Sequence, residues 1–154
     1  MRYCGIDPGV AGAVAMIDTD EARVEVVDLP GGPLGVDPVA LQEQLTAWGV
    51  RSVTLEDNRA VGSNGSLANF SMGRCVGLIT ATVLLSGCKL QRVKPVDWQR
   101  SVGVSTVRAS ERKEAHRYRA MELFPELRDE LKRKRDHNRA DALLITEYAR
   151  RGPK

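Results

Sequence analysis

Three acidic residues in this chain stand at the edge of apolar runs. Asp7 closes Arg2-Tyr3-Cys4-Gly5-Ile6 and leads straight into Pro8-Gly9. Glu56 closes Arg51-Ser52-Val53-Thr54-Leu55, and Asp141 leads into Ala142-Leu143-Leu144. A carboxylate at a strand tip, beside a Pro-Gly turn that admits another backbone or a phosphate, suits a hard cation. An acid on the rim of an apolar helix face is paired or coordinates something. Just before Asp141 come Asp136, His137 and Asn138. Positions 137, 138 and 141 are three and four apart and share one helical face. Three carboxylates with a neighbouring imidazole make an oxygen-rich set, which suits Mg²⁺ or Mn²⁺ rather than zinc. Two such ions about 4 Å apart can clamp the attacking and leaving oxygens of an in-line phosphoryl displacement. Taken singly, each acid has a plainer reading: Asp7 as an acceptor for turn N–H groups, Glu56 as a surface strand end, Asp141 as the partner of Arg139 or Arg51. Their occurrence together favours the site.

For these acids to meet, the elements that carry them must converge. Residues 2–7, 12–18 and 22–28 read as three strands of an antiparallel meander. Pro30-Gly31-Gly32-Pro33 is a loop. Asp37 caps a helix with Pro38 at its first position, running to Trp48 and ended by Gly49. Residues 51–56 form a fourth strand, and 57–65 a polar loop. A long helix from Ser66 to Ser86 carries Gly73 and Gly77, which would allow tight packing on the sheet. Residues 89–93 form a fifth strand, broken by Lys94-Pro95, and a short helix passes through Trp98. After a loop over 103–110, Ser110 caps a helix that runs to Phe124-Pro125, with Glu114 near the capping-box position. Its expected apolar stripe is Ala115, Tyr118, Met121, Leu123 and Phe124. A short charged stretch follows. The last helix, 138–150, turns Ala140, Leu143, Leu144, Ile145 and Tyr148 inward. A meander followed by alternating helix and strand predicts an α/β fold with a mixed five-stranded sheet flanked by helices. If strands one and four are parallel neighbours, Asp7 and Glu56 emerge at one edge, where open α/β sheets carry their sites.

The 154 residues fit one domain with a real core. Net charge is a mild +3, but its distribution is uneven: acids dominate from Asp18 to Asp37 and bases from Arg74 onward. A basic second half points to a polyanionic partner. Cys4, Cys75 and Cys88 form no CxxC pair and each sits in an apolar run, which reads as buried, reduced thiols in a cytoplasmic protein. No secretory leader opens the sequence. The apolar run Val76–Leu85 is too short to span a bilayer and contains two threonines, so no membrane association is expected.

Gly5-Ile6-Asp7-Pro8-Gly9 with Gly12-Ala13, then Leu55-Glu56, then Ala140-Asp141-Ala142-Leu143-Leu144 resemble the RuvC-type Holliday junction resolvases of the ribonuclease H-like superfamily. Pro95-Val96-Asp97-Trp98, Lys113-Glu114 and Leu123-Phe124-Pro125 are similar to the phage-type variant. The resemblance covers nearly the whole chain. It implies a bacterial or phage-encoded homodimer that nicks symmetric strands of a four-way or otherwise branched DNA junction, with two Mg²⁺ (or Mn²⁺) ions per active site. Asp7, Glu56 and Asp141 match three of the family's four metal ligands. The fourth place, three residues before the last acid, is Asn138 here. His137 is the expected ligand or proton acceptor, with Asp136 and Asn138 behind it. Lys113 matches a lysine used at the scissile strand; Arg112, Arg74 and Arg117 are further DNA-contact candidates, although a solvated helix face is the better expectation for Arg117 and Arg119. Residues 58–70 match a region that inserts a wedge between bases, with Phe70 as its aromatic and helix-core burial as the rival expectation. The helix face of Ser71, Met72, Cys75, Gly77 and Leu78 is the candidate dimer surface. Competing readings are a nuclease for RNA or RNA–DNA hybrids, a non-catalytic DNA-binding relative, and an actin-like phosphotransferase, for which 154 residues are too few.

Overall fold

A computed structural model describes residues 1–57 and 65–152. Five strands form one mixed sheet in the order β3-β2-β1-β6-β7: β1 (Arg2–Asp7), β2 (Ala13–Asp18), β3 (Arg23–Asp28), β6 (Ser52–Glu56) and β7 (Lys89–Val93). The meander β1-β2-β3 is antiparallel, whereas β6 joins β1, and β7 joins β6, in parallel. The chain therefore has the expected ribonuclease H-like arrangement. Between β3 and the first helix, Gly31–Gly32 (β4) and Gly35–Val36 (β5) pair as a small hairpin where the sequence predicted only a loop.

Alternation along the strands sorts the core into two layers. Cys4, Ile6, Val14, Met16, Val53 and Leu55 face one way, onto α1 (Pro38–Trp48) and α2 (Ser66–Leu85). Ala13, Ala15, Ile17 and Val93 face the other way, onto α3 (Pro95–Val102), α4 (Arg112–Leu123), the short α5 (Arg128–Leu131) and α6 (His137–Arg151). Helix α1 starts as its sequence dictates: Asp37 accepts from the Val39 and Ala40 amides, and Gly49 closes the helix at φ +60°. Helix α2 is long and apolar enough to cross a membrane by length and composition, and it extends well beyond the run noted in the sequence. Cys75, Ile79, Thr82 and Val83 on one of its faces are buried.

Helix α4 departs from expectation twice. It starts at Arg112 rather than after a Ser110 cap, because the Glu111 amide closes a turn on the Arg108 carbonyl at 3.0 Å. Its most buried residues are His116, Arg117 and Ala120; of the predicted stripe, Phe124 is buried in the core and Met121 and Leu123 pack partly buried against it, whereas Tyr118 is exposed. Apolar periodicity missed His116 and Arg117 because the first half of this face lies beside the acids and carries polar side chains.

At the sheet edge remote from Asp7, Arg2 Nε donates to Asp18 Oδ2 at 2.7 Å, and the Asp20 and Glu21 amides converge on Oδ1. These donors, Arg2 foremost, hold the Asp18 carboxyl at about 2 against an ordinary 3.8. A depressed folded-state pKa gives stability that is complete above the unfolded value and is lost as pH falls through the folded one. Asp18→Asn is therefore expected to be less stable than the parent at pH 6. Urea unfolding at successive pH values should show that deficit shrinking between about pH 4 and pH 2. A deficit independent of pH would contradict the ion pair's role.

Candidate active site

Strand parity places the acids. Gly5 and Asp7 on β1, and Thr54 and Glu56 on β6, alternate with the core residues Ile6 and Leu55 and so face the α6 layer. The pairing Gly5↔Thr54 and Ile6↔Leu55 runs to the ends of both strands, where Asp7 and Glu56 emerge side by side. Helix α6 lies close on this face. A β-carbon at Gly5 would come within 2.5 Å of the Thr146 amide nitrogen and 2.9 Å of the Ala142 carbonyl oxygen. Alanine there would be an overpacking of the kind that costs about 1–3 kcal/mol. Thr146 Oγ1 donates within α6 to Ala142 and lies 3.3 Å from the Ala15 carbonyl of β2. Five residues before Thr146 on this helix, Asp141 reaches the strand ends. The turn after Asp7 is equally close-fitting: a side chain at Gly12 would strike the Asp7 carbonyl, and Gly9 holds φ +147°.

Asp7 is 8% exposed. Burial pushes its pKa well above the ordinary carboxyl value, and the charges of Asp141 and Glu56 push it further; Lys113 opposes them. Each of the other two acids is gripped by a buried ring. Trp98 Nε1 donates to Glu56 Oε1 at 2.8 Å, and His116 Nδ1 lies 2.6 Å from Asp141 Oδ1. A carboxylate can only accept, so the His116 proton sits on Nδ1. The two rings meet edge to face, 5.1 Å between centroids at 67°. A continuous chain thus runs Glu56–Trp98–His116–Asp141.

Among the described residues, no three His, Cys, Asp or Glu side chains already enclose an ion-sized position. The donor set nevertheless fits a hard divalent cation. Asp7 is a buried acid whose charged form is opposed by two neighbouring acids, and a cation would satisfy all three.

The plainer partners named for Asp141 are otherwise engaged or elsewhere. Arg139 makes a two-pronged pair with Asp28, at 2.6 and 2.8 Å, fastening the start of α6 to the end of β3. Around the fourth ligand place, Asp136 is buried and bound by Arg133 through both oxygens. Asn138 Nδ2 donates to the Ala11 carbonyl and so braces the loop after Asp7. His137 Nδ1 lies 3.2 Å from the Lys134 carbonyl, which can only accept; Nδ1 therefore carries the proton and Nε2 the lone pair.

Of the DNA-contact candidates, Lys113 is exposed in the first turn of α4, and its charge reaches Asp7. Arg112 beside it is exposed. Phe70 is 65% exposed rather than part of the core, and the Arg74 guanidinium stacks over its ring at 5.7 Å. The rest of the expected wedge region, 58–64, lies outside the described residues. Sequence reasoning missed His116 and gave Trp98 no role at the acids. The available signal was the run of polar and small residues at helical spacing, His116, Arg117 and Ala120, on a helix whose N-terminus already carried Lys113.

No family model matches the chain, and no curated protein matches it. Among solved structures it is similar to "T. thermophilus RuvC in complex with Holliday junction substrate", with TM-score 0.67 and 20% identity over 99% of this chain and 97% of that one. A second, "Thermus thermophilus RuvC structure", gives TM-score 0.66 and 20% identity over 99% and 98%. The chain therefore has the RuvC fold.

The two rings give the site its own reporter. With Trp48→Phe, Trp98 is the chain's remaining tryptophan. Titrating Mn²⁺ into that variant is expected to change Trp98 emission. Glu56→Gln should remove the response, and His116→Ala should weaken the apparent affinity by about 10–100-fold. Emission indifferent to Mn²⁺ would contradict a cation at Glu56.

Proposed function

We propose that this protein is a RuvC-type endonuclease that resolves four-way (Holliday) or other branched DNA by metal-dependent hydrolysis of phosphodiester bonds in symmetric strands. The observation that carries the reading is the burial of Asp7 against Glu56 and Asp141, with Lys113 beside it. It occurs in a fold shared with an RuvC solved in complex with Holliday junction substrate.

In this reading Asp7, Glu56 and Asp141 hold Mg²⁺ or Mn²⁺, two ions per site, with Asp7 as the central ligand. Bound there, the ions supply Lewis acidity and an activated water. The protein's own contribution is arrangement. Trp98 and His116 fix two acids by one oxygen each, so the ligand set is preorganised before substrate arrives. Lys113 meets the negative charge of the phosphate at the reacting bond. His137, its basic Nε2 set by the Lys134 carbonyl, is assigned the fourth ligand place or the proton of the attacking water. Trp98 and Lys113, two residues of the phage-type motifs, stand at the acids, which supports that variant of the family. The three buried free thiols suit a reducing cytoplasm.

A homodimer would set two such sites on opposed strands of a junction with near two-fold symmetry. The supporting surface is the outer face of α2. Gly73 and Gly77 do not pack on the sheet as expected but are open there, with nothing within 4 Å of a β-carbon position, and Phe70, Leu84 and Leu85 are 65%, 56% and 83% exposed. This face replaces the one named from sequence, since Cys75 points into the core.

The test is a panel of synthetic four-way DNA, linear duplex and RNA–DNA hybrid, each with and without Mg²⁺. Cleavage of the four-way substrate in paired, symmetric positions is expected only with Mg²⁺. Asp7→Asn should abolish it while binding persists, and Lys113→Ala should slow turnover about 10²–10³-fold. Undiminished cutting by Asp7→Asn would sink the site. A preference for the hybrid would replace the substrate and keep the nuclease; junction binding without cutting would favour a non-catalytic relative.

A further inference from the structure

A cavity of about 210 Å³ beside the first turn of α4 is lined by Ser110, Lys113, Glu114, Arg117 and Lys134. Three of these five are cations, and they come from two separate segments, α4 and the turn before α6. Arg117, expected from sequence on a solvated face, is 6% exposed. Its Nε has no hydrogen-bond partner among the described residues. The guanidinium lies 5.7 Å from the Tyr118 ring, a weak attraction compared with the hydration a buried guanidinium forgoes. Glu114 is the acid in the lining, and its Oε1 accepts from the Tyr118 hydroxyl at 3.3 Å. A largely buried arginine that shares a cavity wall with two lysines is an arrangement that suits a tetrahedral oxyanion.

We propose that Lys113, Arg117 and Lys134 form a phosphate-binding subsite, separate from the carboxylates, that grips a backbone phosphodiester of the bound strand next to the one being cut. The identity of the ligand as DNA rests on the proposed nuclease function; the existence of an oxyanion site does not. Lys113 links the two sites, because its charge also reaches Asp7. A strand held at Arg117 would be registered against the acids by a rigid helix. Binding energy remote from the reacting bond would then be used for alignment.

The full-length chain without divalent metal serves for the first arm. Inorganic phosphate is expected to raise its melting temperature relative to chloride at matched ionic strength. Arg117→Met keeps the buried stem and removes the charge. It is expected to melt at or above the parent temperature in chloride and to lose the rise in phosphate. Lys134→Ala, an exposed change, should reduce the rise. A variant Arg117→Met that melts well below the parent in chloride would make Arg117 a structural residue and overturn the subsite. So would a phosphate rise unchanged by both variants.

The second arm measures four-way DNA binding in an Asp7→Asn background across a salt series. Adding Arg117→Met should flatten the slope of log K against log salt by about 0.9, one phosphate contact. An unchanged slope, with the phosphate effect intact, would overturn the DNA assignment and leave a free-phosphate site. If the chain cleaves no junction yet both arms succeed, the nuclease reading fails and the subsite stands.

Discussion

Helix α6 and strand β1 approach so closely at Gly5 that a single added carbon would meet the helix backbone. Everything chemical in this chain depends on that approach. Ala13 and Ala15 on the neighbouring strand keep the same face shallow, and Arg139 gripping Asp28 fixes the helix at its N-terminal end. With the helix so seated, Asp141, five residues before Thr146, falls at the tips of β1 and β6. The parallel pairing of those strands has already set Asp7 beside Glu56. Small side chains in the sheet thus do what no single polar contact could: they bring three like charges together at a buried place.

Such a cluster is costly on its own, and the surrounding structure shows how it is maintained. Trp98 and His116 each hold one acid, and their rings brace each other. Lys113 offsets part of the repulsion on Asp7. The helix that supplies His116 and Lys113 also supplies Arg117. One element, α4, therefore carries both the restraint on the acids and the cations that suit a phosphate backbone. That dual use explains why its inner face is polar where a core helix would be apolar.

Much of this was legible in the sequence. The period-two pattern and turn residues gave the strands of the sheet. Asp37-Pro38 and Gly49 bounded the first helix to the residue, because cap chemistry is local. Asp7, Glu56 and Asp141 stood out because acids rarely end apolar runs. The parts that did not show depend on tertiary contact. Nothing in the spacing of His116 and Asp141, 25 residues apart, announces a 2.6 Å contact. Arg117 looked like a solvated residue because its burial comes from neighbouring segments rather than from its own helix. Of the α2 face named from sequence, Gly77 is open, but Cys75 turns into the core, and Gly73, which was expected against the sheet, is open instead.

The proposed function requires the three acids to act as one cation-holding group. Anomalous diffraction from crystals grown with Mn²⁺ tests it most directly. A manganese peak ligated by Asp7 together with Glu56 and Asp141 is expected, with Trp98 and His116 still on their acids. Manganese bound elsewhere, with no ion at Asp7, would contradict it.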